Sequence, residues 1–263
     1  MVIDFHTHAF PDAIAPRAIA KLADASGGLL PYTDGTADGL IKRMKESGVD
    51  RSVVLSIATN AHQQKSVNDF AAALDEREEI ITFGSVYPDA PDACAELERI
   101  ASMGLRGVKL HPDYQGFDAD DDKMIPIYKK ISALGLVTVF HAGVDYGFAP
   151  PYGGTPEKMA RALRHFDSPV VLAHFGGVDS YEGVLAHLAD TDAYFDTSMG
   201  YGMMPKYYAL KIIERHGVHR MLFGTDSPWH SAEMEMRLLS SLGLTDGELA
   251  KIYSENARNL LRL

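Results

Sequence analysis

The sequence predicts an α/β fold, a single (β/α)8 TIM barrel whose working site lies at the C-terminal ends of its strands. Three observations carry that expectation. Eight short runs rich in Val, Ile and Leu alternate with longer amphipathic segments. Several of the runs, notably "VVLSIA", "LVTVFHA" and "PVVLAHF", are continuously apolar, as strands covered on both faces of a parallel sheet are. The 263 residues also match the span of one such barrel, typically about 250 residues.

The expected strands are 2–6, 52–57, 80–86, 105–110, 136–141, 169–174, 193–197 and 219–225. Between the second and third, segment 63–77 places Val67, Phe70, Ala71 and Leu74 at the i, i+3, i+4, i+7 spacing of an amphipathic helix. Before the fourth strand, Cys94, Leu97 and Ala101 read as one buried helix face. The "DADDD" run at 118–122 reads as a solvated helix entry, with carboxylates favoured near the N-terminus. In 155–166, Thr155 is placed to cap a helix with Pro156 in its first position, and Met159, Leu163 and Phe166 form its buried stripe. Thr245 and Glu248 have capping-box spacing ahead of the last helix.

An open doubly wound sheet is the alternative, but it usually carries a Gly-rich phosphate turn after strand one. Here "HAFPDAIAPR" follows instead. With no linker, repeat or low-complexity tract, residues 1–263 read as one domain. Two long connections follow strand ends: 9–39, with a short helix through Ala15, Ala18, Ile19 and Leu22, and the aromatic, Gly- and Pro-rich 142–154. In a barrel both would wall the site.

Composition narrows the partners. Lys and Arg total 25 against 36 Asp and Glu, a formal charge of −11. Nucleic acid and anionic membranes select basic surfaces, so a small molecule is the expected partner. No apolar run approaches the roughly 20 residues of a membrane span. The one cysteine excludes an intrachain disulfide, and the first strand begins almost at once with no leader visible, so a reducing cytoplasm is the expected setting.

The strand ends carry the chemistry. Strand one ends in His6 and His8, which alternation puts on one side. Asp4 precedes them on that face, as support from below or as a satisfied core carboxylate. Strand four supplies Lys109 and His111, strand five His141, strand six His174 and strand eight Asp226. One such histidine is unremarkable, but five at the tops of apolar strands are costly unless something satisfies them. Imidazole and carboxylate together suit a borderline divalent ion such as Zn2+. Trp229 and His230 follow Asp226 closely enough to line a pocket; packing explains Trp229 equally well. Tyr146, Phe148 and Tyr152 either contact a planar substrate or pack their own loop.

These residues resemble the amidohydrolase superfamily, and within it the amidohydrolase 2 group related to aminocarboxymuconate-semialdehyde decarboxylase. The resemblance rests on "DFHTHAF", "GVKLHP" at 107–112, "FHAG" at 140–143, "AHFGG" at 173–177, "GTDSPW" at 224–229 and "ENARNLL" at 255–261. It implies that His6, His8, His141 and Asp226 hold one zinc, with Asp226 also accepting a proton from water. It implies that His174 lies beside the metal, polarising substrate or assisting proton transfer. In binuclear relatives the strand-four lysine is carbamylated and bridges two metals, with the strand-five and strand-six histidines on the second ion. Lys109 is either such a bridge or a cation for a substrate carboxylate, and His111 either touches substrate or supports a neighbour. TatD-type nucleases share His-x-His but resemble a pattern with glutamate on strand four, and PHP-type phosphoesterases need further ligands in another order. Relatives are often dimers or larger, so the resemblance leaves room for a homo-oligomer.

Two activities then compete. The first is a metal-dependent hydrolase that uses an activated water on an amide, ester or lactone. The second is a metal-dependent non-oxidative decarboxylase of a small unsaturated or aromatic acid. A catalytically silent metal-binding protein is the third reading, disfavoured by the nearly full ligand set.

Overall fold

The computed structural model describes residues 1–263. All eight expected strands form: β1 (Ile3–Thr7), β2 (Arg51–Leu55), β3 (Ile80–Phe83), β4 (Gly107–Leu110), β5 (Val137–Phe140), β6 (Val170–Leu172), β7 (Tyr194–Asp196) and β8 (Met221–Leu222). They pair in parallel in chain order, β1 to β3 and β4 to β8. Backbone hydrogen bonds join the two sets. Between β3 and β4, the Gly84 N–H donates to the Gly107 carbonyl (2.9 Å) and the Lys109 N–H to the Gly84 carbonyl (2.8 Å). Between β8 and β1, the Phe5 N–H donates to Phe223 (2.7 Å), the Asp226 N–H to His6 (2.8 Å) and the His8 N–H to Ser227 (2.7 Å). The barrel is closed, and no sheet edge is left unpaired there.

Its interior is packed by Ile3, Phe5, Val53, Leu55, Ile81, Phe83, Val137, Val139, Val171 and Leu222, with Ala257 and Leu261 of the last helix among them. A larger apolar layer lies between strands and helices, including Val54, Val108, Leu110, Phe140 and Leu172. Residues of both parities in β5 are therefore buried, which is why "LVTVF" shows no alternation. The last helix is anchored by Asn256, whose Nδ2 donates to the Val218 and Met221 carbonyls, both at 2.7 Å.

Strand β1 departs from regular alternation. Ile3 and Asp4 pair with Arg51 and Ser52, but Thr7 pairs with Val54, a register slip of one residue. Phe5 packs inside the barrel while the next residue, His6, reaches Lys109 and Asp196. A bulge re-aims a strand end in this way, and it serves the site here.

The helices differ from the expected faces where polar side chains are buried. Helix Gln64–Leu74 buries Gln64, Asn68, Ala71 and Leu74, leaving Val67 and Phe70 partly exposed. Asn68 satisfies both the N–H (2.8 Å) and the carbonyl (2.9 Å) of Ser85 and donates to Glu96 (2.7 Å). Helix Ala93–Ser102 accordingly turns Ala93, Glu96, Leu97 and Ile100 inward, and Cys94 is exposed rather than core. The expected stripe was wrong because a buried carboxylate, held by Asn68 and Arg99, rotates the helix by one position. Helix Pro156–Ala162 is shorter than expected and runs into a 3-10 turn, Leu163–His165; Met159 is buried, Leu163 and Phe166 half-buried. Thr155 stands at its N-cap without a side-chain capping bond, whereas the Thr245–Glu248 capping box is present. Asp118 and Asp120 pair with Lys158 (2.7 Å) and Arg161 (2.6 Å) beside the helical entry.

Gly107 marks the tight joint of the barrel. A Cβ there would lie 2.3 Å from Phe83 Cε2 and 2.4 Å from the Val137 carbonyl oxygen. Gly107→Ala is expected to destabilise the fold by about 3 kcal/mol, as overpacking of a closed core does. Urea denaturation measures it; an unchanged midpoint would contradict this packing of the β3–β5 joint.

Candidate active site at the strand ends

Hydrogen-bond partners fix the protonation sense of the two N-terminal histidines. His8 Nδ1 lies 2.9 Å from the Leu55 carbonyl, which only accepts, so Nδ1 carries the proton and Nε2 a lone pair. His6 Nδ1 lies 2.8 Å from Asp196 Oδ2, a carboxylate at the end of β7, and the same logic leaves His6 Nε2 bare. Both bare nitrogens face one oxygen: Asp226 Oδ1 is 3.1 Å from His6 Nε2 and 3.0 Å from His8 Nε2. As a carboxylate, Asp226 offers these two nitrogens only lone pairs. It brings no proton to share.

Three acceptors therefore converge with no hydrogen between them, which is repulsive unless a cation lies among them. Two imidazoles and a carboxylate are the donor set of a borderline divalent metal, so the residues present fit such an ion. His174 offers a further donor atom, grouping with His6 and Asp226 within 4.8 Å.

Burial also sets the charges around this centre. It lowers His6 to about 4, with the Lys109 charge adding to the effect against Asp196 and Asp226. Lys109, 1% exposed, lies with Nζ 3.3 Å from His6 Nε2. Burial lowers its ammonium to about 8, opposed by Asp196, Asp226 and Asp145. No carboxylate approaches within salt-bridge distance of that nitrogen. Burial likewise lowers His111, His141 and His174, so these rings are neutral.

His141 is brought into contact with His174, Nδ1 to Nε2 at 3.1 Å, and groups with His111 and Asp145 rather than with the His6–Asp226 pair. Its ring stacks on His111 with centroids 4.2 Å apart. His111 Nδ1 accepts from the Tyr114 N–H (3.4 Å), so its Nε2–H donates to Asp145 (3.1 Å). Tyr114 packs edge-on to both His111 and Phe148, tying loop 142–154 to the site. Tyr146 is 42% exposed on that loop, its hydroxyl donating to Asp179 at 2.6 Å. Trp229 is half-buried, its N–H on the Asp226 carbonyl (2.9 Å). His230 is buried and paired with Glu235, which also accepts from the Gly200 N–H (3.1 Å) and so links the loops after β7 and β8.

His174, Met199 and Asp226, after β6, β7 and β8, all have positive φ (59°, 58° and 68°). Non-glycine residues hold that conformation at a cost, and it clusters where geometry is functional. Asp196 and Ser198 are the site residues that the sequence reading passed over. "YFDTS" carries Asp196 and Ser198 at alternate positions, as "HTH" carries its histidines.

Asp4 supports β1 and β8 below the site. Its carboxyl accepts from the Thr225 N–H (3.0 Å), the Thr225 hydroxyl (2.7 Å) and the His6 N–H (3.2 Å). Burial pushes it up to about 8 against these bonds. A carboxyl raised on folding stabilises at low pH, and that contribution is lost as pH rises from 3.8 through 8. A ring lowered on folding, as His6 is, contributes above 6.5, and that is lost as pH falls towards 4. The two oppose each other. In metal-stripped protein, Asp4→Asn should therefore lose stability more steeply than wild type between pH 7 and 4.5, by about 3 kcal/mol. Parallel pH profiles in urea denaturation would refute this.

The amidohydrolase family model matches residues 3–263. The chain is similar to 2,6-dihydroxybenzoate decarboxylase complexed with 2,6-dihydroxybenzoate: 16% identity, TM-score 0.76, covering 100% of this chain and 99% of that one. It is similar to 5-carboxyvanillate decarboxylase from Sphingomonas paucimobilis: 17% identity, TM-score 0.75, with the same coverage of 100% and 99%. A third is dihydroxybenzoic acid decarboxylase from Polaromonas with bound manganese and the inhibitor 2-nitroresorcinol: 18% identity, TM-score 0.73, coverage 100% and 97%. At such identities the likeness is one of fold. No curated protein matches significantly. By the family model, which spans all but the first two residues, the chain belongs to the amidohydrolase family.

Proposed function

We propose that this protein is a metal-dependent, non-oxidative decarboxylase of a small aromatic or unsaturated carboxylic acid. The observation that carries the proposal is Lys109, a buried ammonium beside the cation site with no carboxylate of its own. A buried unpaired charge is costly, and an anionic substrate supplies its partner. An amide, ester or lactone does not. The decarboxylase neighbours of the same fold support this reading over hydrolysis.

His6, His8 and Asp226, with His174 adjacent, would hold a divalent ion such as zinc or manganese, which when bound would supply a Lewis acid for the substrate's oxygen atoms. Lys109 Nζ pairs with the carboxylate and fixes its orientation. The C–CO2 bond breaks with its electron pair left on carbon, and one proton joins that carbon as CO2 leaves. Asp226, whose side chain is as exposed as that of His8 (15% each) against 1% for His6, is the acid at the mouth placed to exchange that proton with solvent. His111, through its Nε2–H on Asp145, and Tyr114, against Phe148, join loop 142–154 to the wall of the site. Trp229, Tyr146 and His230 are left to substrate selection or to loop packing.

Hydrolysis is the second reading, favoured only by Asp226 itself, an ionised carboxylate suited to take a proton from water. The test offers metal-loaded protein a panel of aromatic acids and a panel of esters, amides and lactones, in D2O. The proposal expects CO2 release with one deuterium at the vacated carbon, and no turnover of the second panel. Lys109→Met should lose on the order of 100-fold in kcat/KM, as when one partner of a buried charge pair is removed. Turnover of the neutral panel without CO2 would overturn the proposal.

A further inference from the structure

We propose that Asp196, directly at His6 and through Ser198 at His174 and His141, is a positioning residue that sets the tautomers of these three histidines, so that each presents a bare Nε2. The inference does not depend on which reaction the site performs. It follows from counting protons along one buried chain of contacts.

Asp196 is fully buried at the end of β7. Its Oδ1 accepts from the main-chain N–H of His174 (3.0 Å) and of Ser198 (3.1 Å), and its Oδ2 from His6 Nδ1 (2.8 Å). Ser198 Oγ also contacts Asp196 Oδ1, and only the hydroxyl can supply the hydrogen there. Once that hydrogen is committed, Ser198 Oγ has lone pairs alone to offer. It offers them to His174 Nδ1 (2.8 Å) and His6 Nδ1 (3.2 Å), so both nitrogens must carry hydrogen.

His174 is then the Nδ1–H tautomer with a bare Nε2. His141 Nδ1, 3.1 Å from that Nε2, must bring the hydrogen of the contact. This leaves His141 Nε2 bare, and that atom is buried without a partner. An unsatisfied buried acceptor costs roughly 1–3 kcal/mol, so the chain ends in a lone pair prepared for a cation or a hydroxyl donor. The opposite polarity would set Ser198 Oγ against Asp196 Oδ1 with no hydrogen between two acceptors. His111 does not belong to this chain: its Nδ1 is occupied by the Tyr114 N–H.

Histidine-selective 15N labelling of metal-stripped protein reads the tautomers directly. Wild type is expected to show protonated Nδ1 and unprotonated Nε2 at His6, His174 and His141. Ser198→Ala should leave His6 as it is and abolish the single-tautomer signature at His174, and Ser198→Thr should restore it. In Asp196→Asn the amide oxygen is held by the two main-chain N–H groups, which turns the NH2 towards His6 Nδ1. His6 should switch to the Nε2–H form, and Zn2+ affinity by calorimetry should fall about 10- to 100-fold. An Nε2–H form at His174 or His141 in wild type, or an unchanged His174 in Ser198→Ala, would overturn the proposal. Should Asp196→Asn fail to fold, the Ser198 pair still decides.

Discussion

The meeting of His6 Nε2 and His8 Nε2 on one oxygen of Asp226 is the constraint on which the rest of the site depends. Two imidazole lone pairs 3.1 and 3.0 Å from one carboxylate oxygen are not a resting arrangement for an interior, and the structure holds them there by closing the barrel. Two of the three hydrogen bonds that close β8 on β1 are made by Asp226, His6 and His8 themselves. Fold closure and site assembly are therefore one event. The slip in β1 lets Phe5 fill the barrel while His6 turns to the mouth, and Asp4 ties that kink to Thr225 from below.

Around this centre the charge is deliberately uneven. Asp196 is held ionised by the hydrogen bonds it accepts from His6, Ser198 and two main-chain N–H groups, and His6 and His174 are held neutral by burial. Lys109 is the one cation in direct contact with the cluster, and it lacks a carboxylate within salt-bridge distance. A neutral imidazole set gathers a metal, and an unpaired ammonium gathers an anion. The overall charge of −11 gives no long-range attraction for an acidic ligand, so capture of an anion rests on these local groups.

Much of this was legible before any coordinates. Eight runs rich in Val, Ile and Leu marked the strands, several of them continuously apolar, and polar residues at their C-terminal ends marked the site, because strand ends in a barrel share one mouth. Two kinds of information were not legible. Helix faces at Asn68 and Glu96 follow buried polar contacts made across the chain, which apolar periodicity does not register, so Cys94 was assigned to the wrong side. The hydrogen-bond chain from Asp196 needed partners from the ends of β1, β5 and β6 at known distances; "DTS" alone looks like a strand running into a turn. Nor did spacing say that His141 would pair with His174 and stack on His111, since both contacts join different strands.

The account stands most directly on metal binding by the His6–His8–Asp226 cluster. Elemental analysis of purified wild type and Asp226→Ala, each stripped and reloaded with Zn2+, measures it, with circular dichroism to establish that both are folded. The account predicts stoichiometric metal in wild type and loss of most of it in Asp226→Ala with the fold retained. Equal metal in both proteins, or none in either, would contradict it.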